Sequence, residues 1–128
     1  MIPENGDDKM LNSVEKHIGV PAYMQIMNII KKEILLGRFK SDDQLPPVRE
    51  LAGIFKVNMN TVIRALEKLQ LEGLIRAEHG IGYFITVTQN INFSIIEELK
   101  KSITKAKEEG LTLDMTKLLI EEVWKSVK

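Results

Sequence analysis

The sequence contains no cysteine and only two histidines, His17 and His79. Without cysteine the chain forms no disulfide, which is typical of proteins of the cytoplasm. Two histidines that lack cysteine partners do not complete the ligand set of a structural zinc site. We therefore expect a cytoplasmic protein that uses no metal and no other cofactor.

Long apolar runs are also absent. No stretch reaches the roughly 18 to 20 apolar residues that a membrane-spanning helix needs. The first ten residues, MIPENGDDKM, lack the basic-then-apolar pattern of a signal peptide. With 44% hydrophobic and 28% charged residues over 128 positions, the composition is that of one globular domain, or of one small domain with an appendage. We expect no interaction with a membrane.

An excess of positive charge, which often accompanies DNA binding, is missing as well. Eighteen basic residues balance eighteen acidic ones. Residues 21–92 nevertheless hold nine basic against seven acidic residues, whereas residues 1–20 hold two against four. Because local charge governs the attraction of phosphate, zero net charge weakens the case for nucleic-acid binding without excluding it.

The middle of the sequence has the pattern of a helix-turn-helix. Apolar residues at helical spacing predict a first helix from Pro21 to Gly37. A turn-rich connection leads to a short second helix, VRELAGIF, and a third helix begins at Asn58 as its N-cap and runs to about Leu71. Only three residues separate the second and third helices, and so short a turn predicts a helix-turn-helix.

A change of period follows the third helix. Leu74–Glu78 and Tyr83–Val87 are β-prone, and the loop His79–Gly82 between them carries two glycines. A hairpin directly after a helix-turn-helix is a wing. The predicted fold class is therefore mainly α with a small β-hairpin (α+β), a winged helix-turn-helix domain.

Two further helices are predicted in the C-terminal part of the sequence. Ser94 and Glu97 have the spacing of a capping box for a fourth helix that closes at Gly110, and Thr112 can cap a fifth. Their apolar arcs are wider than two short helices can bury against each other, which indicates a dimer contact. The residues we assign to this contact are Ile96, Leu99, Ile103, Leu119, Val123 and Trp124. The predicted organisation is a flexible arm (1–18), a winged helix-turn-helix domain (19–90) and a two-helix dimerisation segment (91–128).

From Pro21 to about Val87 the chain resembles the GntR family of bacterial and archaeal transcription regulators. The segments that carry the resemblance are PAYMQI, ILLGRFKSDDQLPPVRELA, VNMNTVIRALEKLQLEGLI and HGIGYFI. The short tail is similar to that of the YtrA-type subgroup, whose members lack a separate ligand-binding domain. The resemblance implies a homodimeric repressor of a double-stranded DNA operator, often one that controls membrane-transporter genes.

The third helix would then be the recognition helix, with Asn58, Met59, Asn60 and Thr61 in its cap and first turn. Asn60 can pair bidentately with adenine, and Thr61 can bond a phosphate or touch a thymine methyl. Asn58 either contacts DNA or serves only as the cap. Many members of the family carry Arg or Pro where this chain has Met59, which puts guanine recognition in doubt and suggests an operator core rich in A·T pairs.

Two arginines and the wing complete the predicted DNA contacts. Arg49 lies early in the second helix, where the helix dipole disfavours a cation unless an anion is near; the family's DNA-contacting arginine falls at this position. Arg64 lies one turn after Asn60 and either contacts DNA or pairs with Glu67. The resemblance implies that His79 and Gly80, at the start of the wing loop, approach the minor groove.

Two other classes of function fit the sequence less well. A winged helix can also serve as a protein-interaction adaptor, and the neutral charge, Met59 and Ile63 favour that alternative slightly. An enzyme is not expected, because the sequence shows no nucleophile–base pair, metal cluster or phosphate loop. The sequence identifies no small-molecule effector, and so short a tail leaves little room for an enclosed pocket within one subunit.

Overall fold

The computed structural model describes residues 14–15, 18–86 and 91–127. The chain divides into two units between Ile91 and Asn92. The helices and strands of the described residues are α1 (Ala22–Leu35), α2 (Val48–Phe55), α3 (Met59–Leu71), β1 (Ile75–Glu78), β2 (Gly82–Ile85), α4 (Phe93–Glu108) and α5 (Leu113–Ser126). The predicted fold class, mainly α with a small β-hairpin, is confirmed.

The core of the first unit lies between α1, α2, α3 and the hairpin. Helix α3 is central because it packs against α1, α2 and β1. Its buried side chains repeat at helical spacing and meet the apolar faces of the neighbouring helices. The largest fully buried apolar side chains are Ile26, Ile30, Ile34, Leu45, Leu51, Phe55, Leu66, Leu69 and Ile85. One face of α3 is thus fixed in the core, which leaves the other face for function.

The hairpin is shorter than the sequence predicts. Its antiparallel pairs run from Ile75 with Ile85 to Glu78 with Gly82, so Gly82 belongs to β2 and not to the loop. The second strand ends at Ile85, and Val87, which the sequence places in it, lies outside the described residues. Gly80 has a φ of +77°, a conformation that glycine adopts without steric strain.

The connection between α1 and α2 pairs with β2 through backbone hydrogen bonds, which the sequence does not predict. The Asp42 N–H donates to the Ile85 carbonyl at 2.8 Å, and the Leu45 N–H donates to the Tyr83 carbonyl at 2.8 Å. The Gln44 side chain also donates to a carbonyl of the wing loop. A Cβ at Gly82 would lie 3.0 Å from Gln44 Nε2. These contacts fix the wing against the connection between α1 and α2.

Of the predicted N-terminal arm, the structure describes only residues 14–15 and 18. The Gln25 side chain, which is buried in α1, accepts from the Glu15 N–H at 2.7 Å and donates to the Glu15 carbonyl at 2.6 Å. It also donates to the Val20 carbonyl at 2.9 Å. The chain just before α1 is therefore tied to the core, and the flexible arm stays a prediction.

The cap predicted for α4 is wrong, whereas the one predicted for α5 is confirmed. Asn92, not Ser94, caps α4, because its Oδ1 accepts from the Ser94 N–H at 3.0 Å and from the Ile95 N–H at 3.3 Å. Glu97 does not complete a capping box and instead pairs with Lys100 at 3.2 Å. Thr112 caps α5 by accepting from the Met115 N–H at 3.1 Å.

The second unit has no buried residue in either of its helices. Of the six residues assigned to the dimer contact, Ile96 is half-buried and the other five are exposed, with Trp124 at 82%. None of the helices in the described part of the chain is both long and apolar enough to cross a membrane.

Candidate nucleic-acid interface

The turn between α2 and α3 sets the angle at which α3 leaves the core. Lys56 adopts a left-handed conformation with φ 57°, and the Val57 N–H donates to the Ala52 carbonyl at 3.1 Å. Asn58 then caps α3 as predicted, accepting from the Thr61 N–H at 2.9 Å. The Thr61 hydroxyl also donates to Asn58 Oδ1, at 3.1 Å. The start of α3 is therefore fixed by its own side chains.

The first turn of α3 projects from the first unit. Asn58, Met59 and Asn60 are exposed, and Thr61 is half-buried. The core residues of the helix begin only at Val62. The four predicted DNA contacts in the cap and first turn of α3 thus lie together at one tip, which a buried stem supports.

The side chains of the tip differ in how many hydrogen-bonding groups remain free. Asn58 uses its oxygen for the cap and Thr61 uses its hydroxyl proton for Asn58. Asn60 has no hydrogen bond from its amide group to any described residue. Asn60 therefore keeps both the donor and the acceptor that bidentate recognition of adenine requires.

Arg49 lies in the first turn of α2 and is exposed. An exposed arginine at this position could instead form an ion pair with a nearby carboxylate. Within the described ranges Arg49 forms no such pair. Its charge lies near the positive end of the α2 dipole, where it would attract an external anion.

Arg64 is exposed on α3, and its guanidinium stacks on the ring of Tyr23 with 4.0 Å between Arg64 Cζ and the ring centroid. Lys68, one turn further along, has its ammonium 5.7 Å from the same centroid. The predicted alternative, a pair between Arg64 and Glu67, is not formed among the described residues. Tyr23 was missed as a neighbour of this interface, because its helical spacing in the sequence marks it only as part of the core stripe of α1.

At the wing tip, His79 and Gly80 are both exposed. Arg76, on β1 behind them, donates to Glu78 of the same strand at 2.8 Å and to Asp42 of the α1–α2 connection at 3.1 Å. The hydrogen bond to Glu78, aided by Asp42, raises the pKa of Arg76 above its ordinary value despite partial desolvation. Its charge is thus committed to carboxylates, and the exposed residues of the wing loop are His79, Gly80 and Ile81.

Comparison with known proteins identifies the family. Residues 22–85 match the description "Bacterial regulatory proteins, gntR family". The chain is also 35% identical over 121 residues to the HTH-type transcriptional repressor YtrA of Bacillus subtilis, with 90% of this chain and 93% of that protein covered. The chain belongs to the GntR family. The predicted likeness to YtrA-type members is confirmed, since the match extends through both units.

Two solved structures of GntR-type proteins are similar to this one. YtrA from Sulfolobus acidocaldarius, a GntR-family transcription factor, is 28% identical with a TM-score of 0.58, over 75% of this chain and 98% of that one. The DNA-binding domain of AraR in complex with operator ORX1 is 28% identical with a TM-score of 0.52, over 56% of this chain and 87% of that one. This GntR-family protein is therefore a transcription regulator with a DNA-binding domain, and not an enzyme.

Proposed function

We propose that this GntR-family protein is a homodimeric repressor that binds a pseudo-palindromic operator through α3. The observation that carries the proposal is the exposed polar tip of α3 on a stem whose other face is buried. A helix-turn-helix reads DNA by placing the N-terminal residues of its second helix against base edges in the major groove. The tip formed by residues 58–61 has the shape and the side chains for that position.

Within this tip we assign base recognition chiefly to Asn60 and Met59. The free amide of Asn60 matches the donor and acceptor that adenine presents in the major groove. Met59 is 43% exposed and offers an apolar surface to a thymine methyl. Asn58 and Thr61, whose hydrogen bonds support the helix start, would contact phosphate or sugar with the groups that remain. These roles predict an operator core rich in A·T pairs.

Arg49, Arg64 and the wing would supply the contacts to the DNA backbone. Both arginines are exposed and free of carboxylate partners in the described part of the chain. Positively charged side chains that meet phosphates release condensed counterions, so binding falls steeply as salt rises. At the wing tip, the backbone of Gly80 permits close approach to the minor groove, with His79 beside it.

The exposed apolar surface of the second unit supports the proposal of a dimer. Its two helices carry a row of exposed apolar side chains, among them Ile103, Leu119, Val123 and Trp124. So large an exposed apolar surface is rare on a monomer and marks an interaction site. Pairing of two copies through this surface would join two modest half-site affinities and present two α3 tips to successive major grooves.

The relatives support two parts of the proposal, repression and the binding of operator DNA. YtrA of Bacillus subtilis is a transcriptional repressor, and the AraR DNA-binding domain forms complexes with operator DNA. We therefore assign repression to this chain and place it in the cytoplasm, where the chromosome of a bacterium or archaeon lies.

The proposal is tested by footprinting the DNA upstream of the protein's own gene. We expect a protected site with two-fold symmetry and binding that weakens as salt is raised. Arg49→Ala and Arg64→Ala should each weaken binding about tenfold, since each removes a charge-assisted contact from both subunits. Lys32→Ala, which removes an exposed cation from the last turn of α1, is the matched control and should bind like the wild type.

Two results would contradict this assignment. The first is a wild-type protein that shows no salt-sensitive binding to the upstream DNA. The second is binding that neither arginine variant weakens. Either would favour the adaptor interpretation of the winged helix.

A further inference from the structure

Both basic side chains of α3 lie over a single aromatic ring. The helix sequence MNTVIRALEKLQL contains only Arg64 and Lys68 as cations. Tyr23, in the first turn of α1, lies 4.0 Å from Arg64 and 5.7 Å from Lys68, measured to the ring centroid. An electron-rich ring face attracts a cation within about 6 Å. A single ring of α1 thus lies close to both cationic side chains of α3.

The ring itself is held by the core. Tyr23 is half-buried and packs against the buried cluster of the first unit. Helix α1, which carries it, packs along α3. The Tyr23 ring under Arg64 is therefore held by the core of the first unit, whereas the end of an exposed side chain would be free to move.

Stacking orients a guanidinium without consuming its hydrogen-bonding groups. The five N–H donors of arginine lie in the plane of the group and point outward from its edge, whereas the ring contacts its face. Arg64 remains exposed and pairs with no carboxylate of the described residues. The stack therefore removes side-chain freedom before binding and leaves the edge free for an anion, which is preorganisation.

We propose that Tyr23 is a positioning residue for DNA binding, whose ring holds Arg64, and more loosely Lys68, in place for the phosphates of the DNA backbone. This inference rests on the proposed function of α3 as the recognition helix. Arg64 and Lys68 lie in the second and third turns of α3, behind the tip and on the side of α1. That placement suits phosphate contacts, which fix the position of a protein on DNA without reading its sequence.

Because phosphate contacts do not depend on sequence, the test uses the full chain and a random-sequence duplex of about 30 base pairs at low salt. Tyr23→Leu and Tyr23→Met remove the ring but keep an apolar side chain, and each should weaken binding about fivefold. Tyr23→Phe keeps the ring face and should stay within about twofold of the wild type. The slope of log affinity against log salt should fall by about one per subunit in both Arg64→Ala and Tyr23→Leu.

A double-mutant cycle separates positioning from a purely structural role. If Tyr23 acts through Arg64, Tyr23→Leu should have less than about half of its effect, on a logarithmic scale, in the Arg64→Ala background. Leu74→Ala, which removes a half-buried apolar side chain beyond the far end of α3, is the stability control. It should lower the melting temperature without changing the salt slope. Only variants that show a cooperative thermal transition are compared, and Tyr23→Met serves if Tyr23→Leu does not fold.

Several outcomes would overturn the inference and leave the proposed function standing. One is that Arg64→Ala weakens DNA binding whereas Tyr23→Leu binds DNA like the wild type. Another is a loss from Tyr23→Leu that persists in full without Arg64, which would mean a structural role. A Tyr23→Phe variant as weak as Tyr23→Leu would assign the effect to the hydroxyl instead of the ring. If the wild type binds neither the random duplex nor its own upstream DNA, the proposed function itself fails.

Discussion

The two units of this regulator differ in how they treat apolar side chains. All sixteen buried hydrophobic residues of the described chain belong to the first unit. In the second unit, α4 and α5 bury no residue, although between them they carry nine leucine, isoleucine and valine residues. The first unit thus uses its apolar residues to build its own core, whereas the second leaves them on its surface.

The difference concerns what each unit needs in order to be stable. Burial of apolar surface is the main favourable term in folding, and short helices without tertiary packing are marginal in water. The first unit supplies its own burial. The second has well-formed caps at Asn92 and Thr112 but lacks burial, which supports our proposal that a second copy of the chain completes it.

The largest effect is expected from ending the chain after Ile91. Because the first unit has its own core, the shortened protein should fold and give a cooperative thermal transition. It should sediment as a monomer and bind the operator at least about 100-fold more weakly, since the second half-site is no longer linked. Analytical ultracentrifugation and a binding titration measure both. A shortened protein that still dimerises would remove the role we give to α4 and α5.

How far the sequence predicts this structure differs between local and tertiary features. Helical spacing places the helices, and the positions of Gly37 and Gly110 at helix ends are confirmed, each with a positive φ. The prediction of Ser94 as the cap of α4 is wrong because Asn92 and Ser94 are both good N-cap residues, two positions apart. Local sequence does not choose between them.

The features that the sequence could not predict join segments distant along the chain. Nothing in the turn-rich connection indicates that Gln44 pairs with Phe84 along the hairpin. Likewise, the spacing of Tyr23 assigns it to the core stripe of α1 but does not show that its ring lies under Arg64. Periodicity predicts which face of an element is buried, and only tertiary packing decides which side chains meet there.

The contrast in burial predicts unequal responses to the same truncation. Leu66→Ala removes a fully buried side chain of the first unit and should lower the free energy of unfolding by about 2 to 5 kcal/mol. Leu118→Ala, at an exposed position of α5, should change it by less than about 0.5 kcal/mol in dilute protein, where the monomer dominates. Chemical denaturation of both variants at two protein concentrations checks this. Equal losses in dilute protein would contradict the difference between the units.

Trp124, the only tryptophan of the chain, reports directly on the second unit. Its side chain is 82% exposed in the single chain, so its fluorescence should resemble that of a solvated indole in dilute protein. If a second copy covers α5, the emission should shift to shorter wavelength as the protein concentration rises. Trp124→Ala should weaken the dimer by about 2 kcal/mol if this aromatic residue is central to the contact. Emission that does not change with concentration in a protein that dimerises would place the contact elsewhere.

A smaller effect than that of core truncation is expected at the start of α3, where the stable unit carries its proposed function. Asn58→Ala removes the cap and should cost about 1 kcal/mol of stability. Asn58→Ser restores a cap oxygen but lacks the amide, so the two variants separate the roles of this side chain. If Asn58 is only a cap, Asn58→Ser should recover both stability and operator binding. If its amide also contacts DNA, Asn58→Ser should recover the melting temperature while binding stays weak. Thr112→Ala removes the corresponding cap of α5 and is the control for the loss of a cap alone. As long as the protein remains dimeric, this variant should bind a random duplex like the wild type.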